Sequence, residues 1–172
     1  MTNQNDCCCE SGCCCTPQQR RQLTIDFLYL DLEVCTRCQG TDQSLEEAIE
    51  DVSGVLKAAD IDVIVNKVNI NTKELAIQYK FISSPTIQVN GKDIDVEVKE
   101  SLCESCGDLC GCDVDCRVWT YQGEEYTVPP KGLIVNAILQ EVYGNKCDTA
   151  IADEEYTLPD NLNKFFEAME TA

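Results

Sequence analysis

Between residues 22 and 100 the spacing of apolar side chains switches repeatedly between a strand period and a helix period, and that succession admits few folds. Leu23 to Leu30 (LTIDFLYL) is apolar and partly β-branched or aromatic, which predicts a strand buried on at least one face. From Thr41 to Ala59, Leu45, Ala48, Ile49, Val52, Val55 and Leu56 recur at helical spacing, with Glu46, Glu47, Glu50 and Asp51 on the other face and in the early turns. Asp62 to Ile70 (DVIVNKVNI) alternates as a strand does, and Thr72 caps a short helix to Tyr79. Ser83 to Val89 and Lys92 to Val98 flank Asn90-Gly91, a pair suited to a tight hairpin because both residues tolerate positive φ. The order is strand, helix, strand, helix, strand, strand, an α/β unit with a central mixed sheet flanked by helices.

Around that unit the chain divides by composition. Residues 1–21 form a polar tail with too few apolar residues to bury a core, and the expectation is disorder without a ligand. Residues 22–144 hold the domain, interrupted at 101–117 by a cysteine-rich insertion before the domain's last helix. Val118 to Val128 fits a second hairpin around Gly123, and Lys131 to Tyr143 a helix that Gly144 ends. Residues 145–172 read as an acidic linker and an amphipathic helix, whose Leu162, Phe165, Phe166 and Met169 stripe suits docking on the domain.

Fourteen of the 172 residues are cysteine and none is histidine. That excludes a Ser-His-Asp or Cys-His hydrolase, a His-liganded zinc and an imidazole proton shuttle. The formal charge of -18 repels phosphate backbones and anionic lipid, so neither nucleic acid nor membrane is an expected partner. No basic segment followed by an apolar stretch opens the sequence, so the expected location is the cytoplasm. In such a reducing compartment clustered cysteines point to metal binding or redox chemistry rather than to a disulfide scaffold.

The cysteines fall into three groups. Cys35-Thr36-Arg37-Cys38 lies between the first strand and the first helix, where unpaired backbone N–H groups favour thiolate at Cys35. Arg37 reinforces that preference, while Asp31 and Glu33 oppose it. Cys103, Cys106, Cys110, Cys112 and Cys116 form the second group; Gly107 and Gly111 allow a knuckle-like loop around zinc or an iron–sulfur cluster, and an auxiliary dithiol fits equally. Cys7-Cys8-Cys9 and Cys13-Cys14-Cys15 offer six thiols on the tail, suited to a soft ion such as Cu(I), Zn(II) or a trivalent metalloid.

A buried strand, a CxxC opening a helix, a further β-α pair, Ser84-Pro85-Thr86-Ile87 entering a hairpin and a final helix together resemble the thioredoxin superfamily over residues 22–144. More narrowly, Glu33 to Cys38, Ser84 to Thr86, Cys103-Glu104-Ser105-Cys106-Gly107 and Asp115 to Trp119 are similar to an uncharacterised prokaryotic thioredoxin-like domain family. The resemblance implies a thioredoxin-like fold and a thiol–disulfide oxidoreductase, in which Cys35 attacks and Cys38 resolves the mixed disulfide. It also implies that Pro85 is cis beside the pair and that the Ser84 backbone pairs with an extended substrate. The partners so implied are a protein or small-molecule thiol or disulfide and an electron-donating reductase. Val34 stands where thioredoxins carry an aromatic residue, and Thr36-Arg37 where they carry Gly-Pro. The alternative is a soft-metal or metalloid binding protein in which the fold is a non-catalytic scaffold for cysteines.

Overall fold

A computed structural model describes residues 20–144 and 155–171. The two cysteine triplets at residues 7–9 and 13–15, and Cys147, lie outside the described residues. Strand β1 (Arg21–Tyr29) leads to helix α1 (Thr36–Ala58), strand β2 (Ile61–Asn69), helix α2 (Lys73–Gln78) and strands β3 (Thr86–Val89) and β4 (Lys92–Asp93). Strand β5 (Lys99–Leu102), helix α3 (Glu104–Cys110), strands β6 (Asp115–Tyr121) and β7 (Glu124–Tyr126) and helices α4 (Lys131–Tyr143) and α5 (Asp160–Thr171) follow.

The main sheet has the order β2-β1-β3-β4, with β1 parallel to β2 and antiparallel to β3. This is the mixed sheet expected of a thioredoxin-like fold. Ile25 and Phe27 of β1, Leu45 and Val52 of α1 and Ile134 and Ile138 of α4 form one core with Trp119 of β6. Gly40 lets the segment before α4 approach α1, since a Cβ there would meet Val128 Cγ2 at 2.6 Å. Asn90 and Gly91 adopt φ 51° and 77°, as a two-residue hairpin between twisted strands requires.

That hairpin is shorter than the alternation predicts. β4 ends at Asp93 because its continuation is drawn into turns: Asp93 Oδ1 accepts from the Asp95 N–H, and Asp95 Oδ1 from the Glu97 N–H. The chain then enters a second sheet, β5-β6-β7, which the sequence reading treats only as an insertion and a hairpin. α5 docks through three of the four stripe residues, Leu162, Phe165 and Phe166, buried among Cys35, Cys38, Cys103, Cys106 and Cys116, while Met169 stays exposed. Among the described residues no helix is long and apolar enough to cross a membrane.

Candidate metal centre

The chain reaches Cys35 through a tight turn. Asp31 Oδ1 accepts from the backbone N–H groups of Glu33 and Val34 at 2.8 and 2.7 Å, and Gln39 Nε2 donates to the carbonyls of Leu32 and Glu33. This sets Cys35 as the N-cap of α1, where its Sγ accepts from the Cys38 N–H at 3.4 Å. Cys103 stands in the same relation to α3, as the residue before its first turn. Each CxxC motif therefore begins a helix, and the two helix starts face one another.

Between them four sulfurs converge. The Sγ atoms of Cys35, Cys103, Cys106 and Cys116 all lie within 4.8 Å of one another, and all four residues are buried. Cys116 Sγ donates to Cys106 Sγ at 3.4 Å. The four thiols come from the start of α1, both ends of the first turn of α3, and β6. The backbone N–H of Cys103 donates to the Val114 carbonyl at 2.8 Å, closing, two residues before Cys116, the loop that carries Cys103 and Cys106.

Crowding four thiols makes their acidities unequal. Hydrogen bonds from Cys103, then Cys106 and Cys116, hold Cys35 well below the usual thiol range, more than burial raises it. Cys103 is lowered to about 6 by Cys106 and Cys116. Cys106 and Cys116 are pushed up, each chiefly by its interaction with Cys103.

Cys38 is buried too, yet stands outside the group of four. Its thiol is raised by its hydrogen bond to Cys35 and by burial. It lies 3.5 Å from Ser84 Oγ, which also accepts from the Leu30 N–H. The Ser84-Pro85 peptide is cis, and Pro85 is buried at the entry to β3.

Three expectations meet different contacts. The Ser84 carbonyl is already paired within the chain: the Arg117 N–H of β6 donates to it at 2.7 Å. The edge expected to receive an extended substrate therefore holds the protein's own strand, next to the ligand Cys116. Arg37, expected to acidify Cys35, instead spends its donors on the carbonyls of Ser101, Leu102 and Cys116 and on Ser101 Oγ, at 2.8–3.2 Å. It clamps the second sheet to α1. Cys110 and Cys112, expected with the metal ligands, are joined to each other by a disulfide beside the group.

Arg117 was not singled out in the sequence, although it is the anchor of β6. Its side chain is fully buried, with paired contacts to Asp93 at 2.7 and 2.9 Å and one to Thr86 Oγ1 at 3.0 Å. Its guanidinium also stacks 4.5 Å above the Trp119 ring. The signal available was an arginine inside an otherwise apolar strand, CRVW, downstream of the acidic pair Asp93 and Asp95.

The donor set is all sulfur, which suits zinc, Cu(I) or a metalloid and not calcium or magnesium. Four thiols this close to one another can surround a single ion tetrahedrally. No curated protein and no solved structure matches this chain. Residues 23–138 match the family described as Domain of unknown function (DUF2703), a span holding every thiol of the site, and the chain belongs to that family.

Proposed function

We propose that this protein binds one thiophilic metal ion through Cys35, Cys103, Cys106 and Cys116, on a fold akin to the thioredoxin superfamily. The observation that carries this reading is the convergence of four buried Sγ atoms within 4.8 Å. A tetrahedral ion with sulfur at ~2.3 Å holds its ligands ~3.8 Å apart, so contraction by at most about 1 Å closes the shell. A backbone donor already turns toward Cys35. The Cys38 N–H points at Cys35 Sγ at 3.4 Å. A closed four-sulfur shell stores or staples; it leaves no position for a reactive water. Because the ligands come from α1, α3 and β6, a bound ion ties the second sheet to the first.

A second activity shares this site. Cys35 and Cys38 are in hydrogen-bond contact, and Cys35 is acidified, as a thiol–disulfide exchanger requires. Both roles need Cys35 Sγ. Metal occupancy and a Cys35–Cys38 disulfide are therefore alternatives, and the ion withholds the CxxC from exchange. The kinship is supported by the sheet order, the cis Ser84-Pro85 bond beside Cys38 and the placement of Cys35 at the start of α1.

Anaerobic titration with zinc of a chain whose six tail cysteines are serine is the test. One tight equivalent is expected, abolished by Cys116→Ser and kept by Cys38→Ser. Tight binding that survives Cys116→Ser refutes the ligand set.

A further inference from the structure

Of the five free thiols among the described residues, four are sealed. Cys35, Cys38, Cys106 and Cys116 expose none of their surface. Cys103 alone retains some, and it lines a solvent-open cavity of about 570 Å³. The other walls include Glu104, Asp108 and Asp113, with Cys112 of the neighbouring disulfide opposite. The thioredoxin resemblance implies Cys35 as the attacking sulfur, but Cys35 does not line this cavity, and the Ser84 carbonyl beside its CxxC is taken by Arg117.

We infer that Cys103 is the thiol through which the buried group meets solution, and that in the metal-free protein it attacks small neutral or cationic disulfides, with Cys106 resolving. The inference rests on the thiol-exchange reading of the site and names its entry point and substrate class. Cys103 thiolate attacks one sulfur of R–S–S–R; that bond breaks, a Cys103–S–R bond forms and RS⁻ leaves. Cys106 Sγ then attacks Cys103 Sγ, expelling the second RS⁻, to which the Cys106 proton passes. Two electrons move from the cysteine pair to the substrate, leaving a Cys103–Cys106 disulfide and two thiols. That disulfide removes two of the four ligands, so a bound metal and this oxidation exclude each other.

Size and charge define the substrate. The cavity admits a small molecule rather than a folded partner, and three carboxylates on its walls repel anions within a chain of formal charge -18. Cystamine, a dication, is therefore favoured over oxidised glutathione, which is anionic.

The test uses the full reduced, metal-free chain and site-resolved mass spectrometry. In Cys106→Ser the cystamine adduct is expected on Cys103 ahead of Cys35, Cys38 and Cys116. Cystamine should modify Cys103 about tenfold faster than oxidised glutathione does, each rate scaled to that on the urea-unfolded chain, and high salt should collapse the ratio. In the unaltered protein iodoacetamide should label Cys103 first of these five thiols, a measurement that needs no variant. First capture on Cys35 or Cys38, or equal scaled rates, overturns the inference. Zinc binding is read separately: a bound ion without capture at Cys103 defeats this inference alone, and capture without a bound ion defeats the metal reading alone.

Discussion

Replacing Arg117 by methionine removes a buried charge that fixes the strand carrying Cys116. The guanidinium is inaccessible to solvent, holds Asp93 at both carboxylate oxygens, donates to the Asp95 carbonyl and stacks on Trp119. Methionine keeps the length and loses all of these polar contacts. Breaking a fully buried pair from one side costs about 3–5 kcal/mol; Asp93 keeps 22 % of its side chain exposed, so the lower end of that range is expected. At this chain length each kcal/mol lowers Tm by about 2–4 °C, so a fall of about 10 °C is expected in a thermal melt of reduced, metal-free protein.

The sign with pH follows from Asp93. Burial raises its carboxyl above the ordinary 3.8, and Arg117 opposes that rise. A raised folded-state pKa means the folded state holds the proton more tightly, so stability falls as pH climbs from 3.8 through the raised value. Without Arg117 the rise is larger. The variant should therefore be penalised more at about pH 7.5 than at about pH 5. Adding Asp93→Asn should recover about 2 kcal/mol or more. A single variant within about 0.5 kcal/mol of the parent, or a double variant whose losses simply add, would refute the reasoning.

Further outcomes follow from the same geometry. Ligation must strip protons from Cys106 and Cys116, whose thiols are pushed up, so zinc binding at neutral pH should release about two protons and strengthen about a hundredfold per pH unit; proton release by calorimetry in several buffers checks it, and pH-independent affinity contradicts it. Phe166→Ala empties a buried position of α5 against the cysteine cluster and should cost about 3–5 kcal/mol in urea melts, with faster alkylation of Cys106. Cys38→Ser should leave zinc affinity within about threefold while abolishing exchange through Cys35; loss of metal on that change would place Cys38 among the ligands.

The sequence made the local parts of this site readable. Cys35 caps α1 because a strand, a turn and a helical stripe follow one another there, and Asn90-Gly91 makes the hairpin through backbone freedom that only such residues have. The C-terminal stripe announced a docked helix. What the sequence did not disclose is the pairing of the two CxxC motifs across space. Periodicity tells which face of an element is apolar, not which distant element covers it. The hairpin of β6 and β7 around Gly123 was readable, but Lys99–Leu102 carries little apolar alternation, so β5 was invisible, and with it the contact of Arg117 with Ser84 that brings Cys116 to Cys35. The separation of Cys110 and Cys112 from the other three likewise depends on a left-handed turn at Gly111 and on the buried side of α3, which spacing does not reveal.

The most direct measurement of the central claim is the zinc K-edge absorption spectrum of the chain loaded with one equivalent, its six tail cysteines replaced by serine. The account predicts a single shell of four sulfurs at ~2.3 Å, with Cys103→Ser or Cys116→Ser losing one. A shell containing oxygen or nitrogen in the parent chain, or four sulfurs retained when Cys103 is gone, would contradict it.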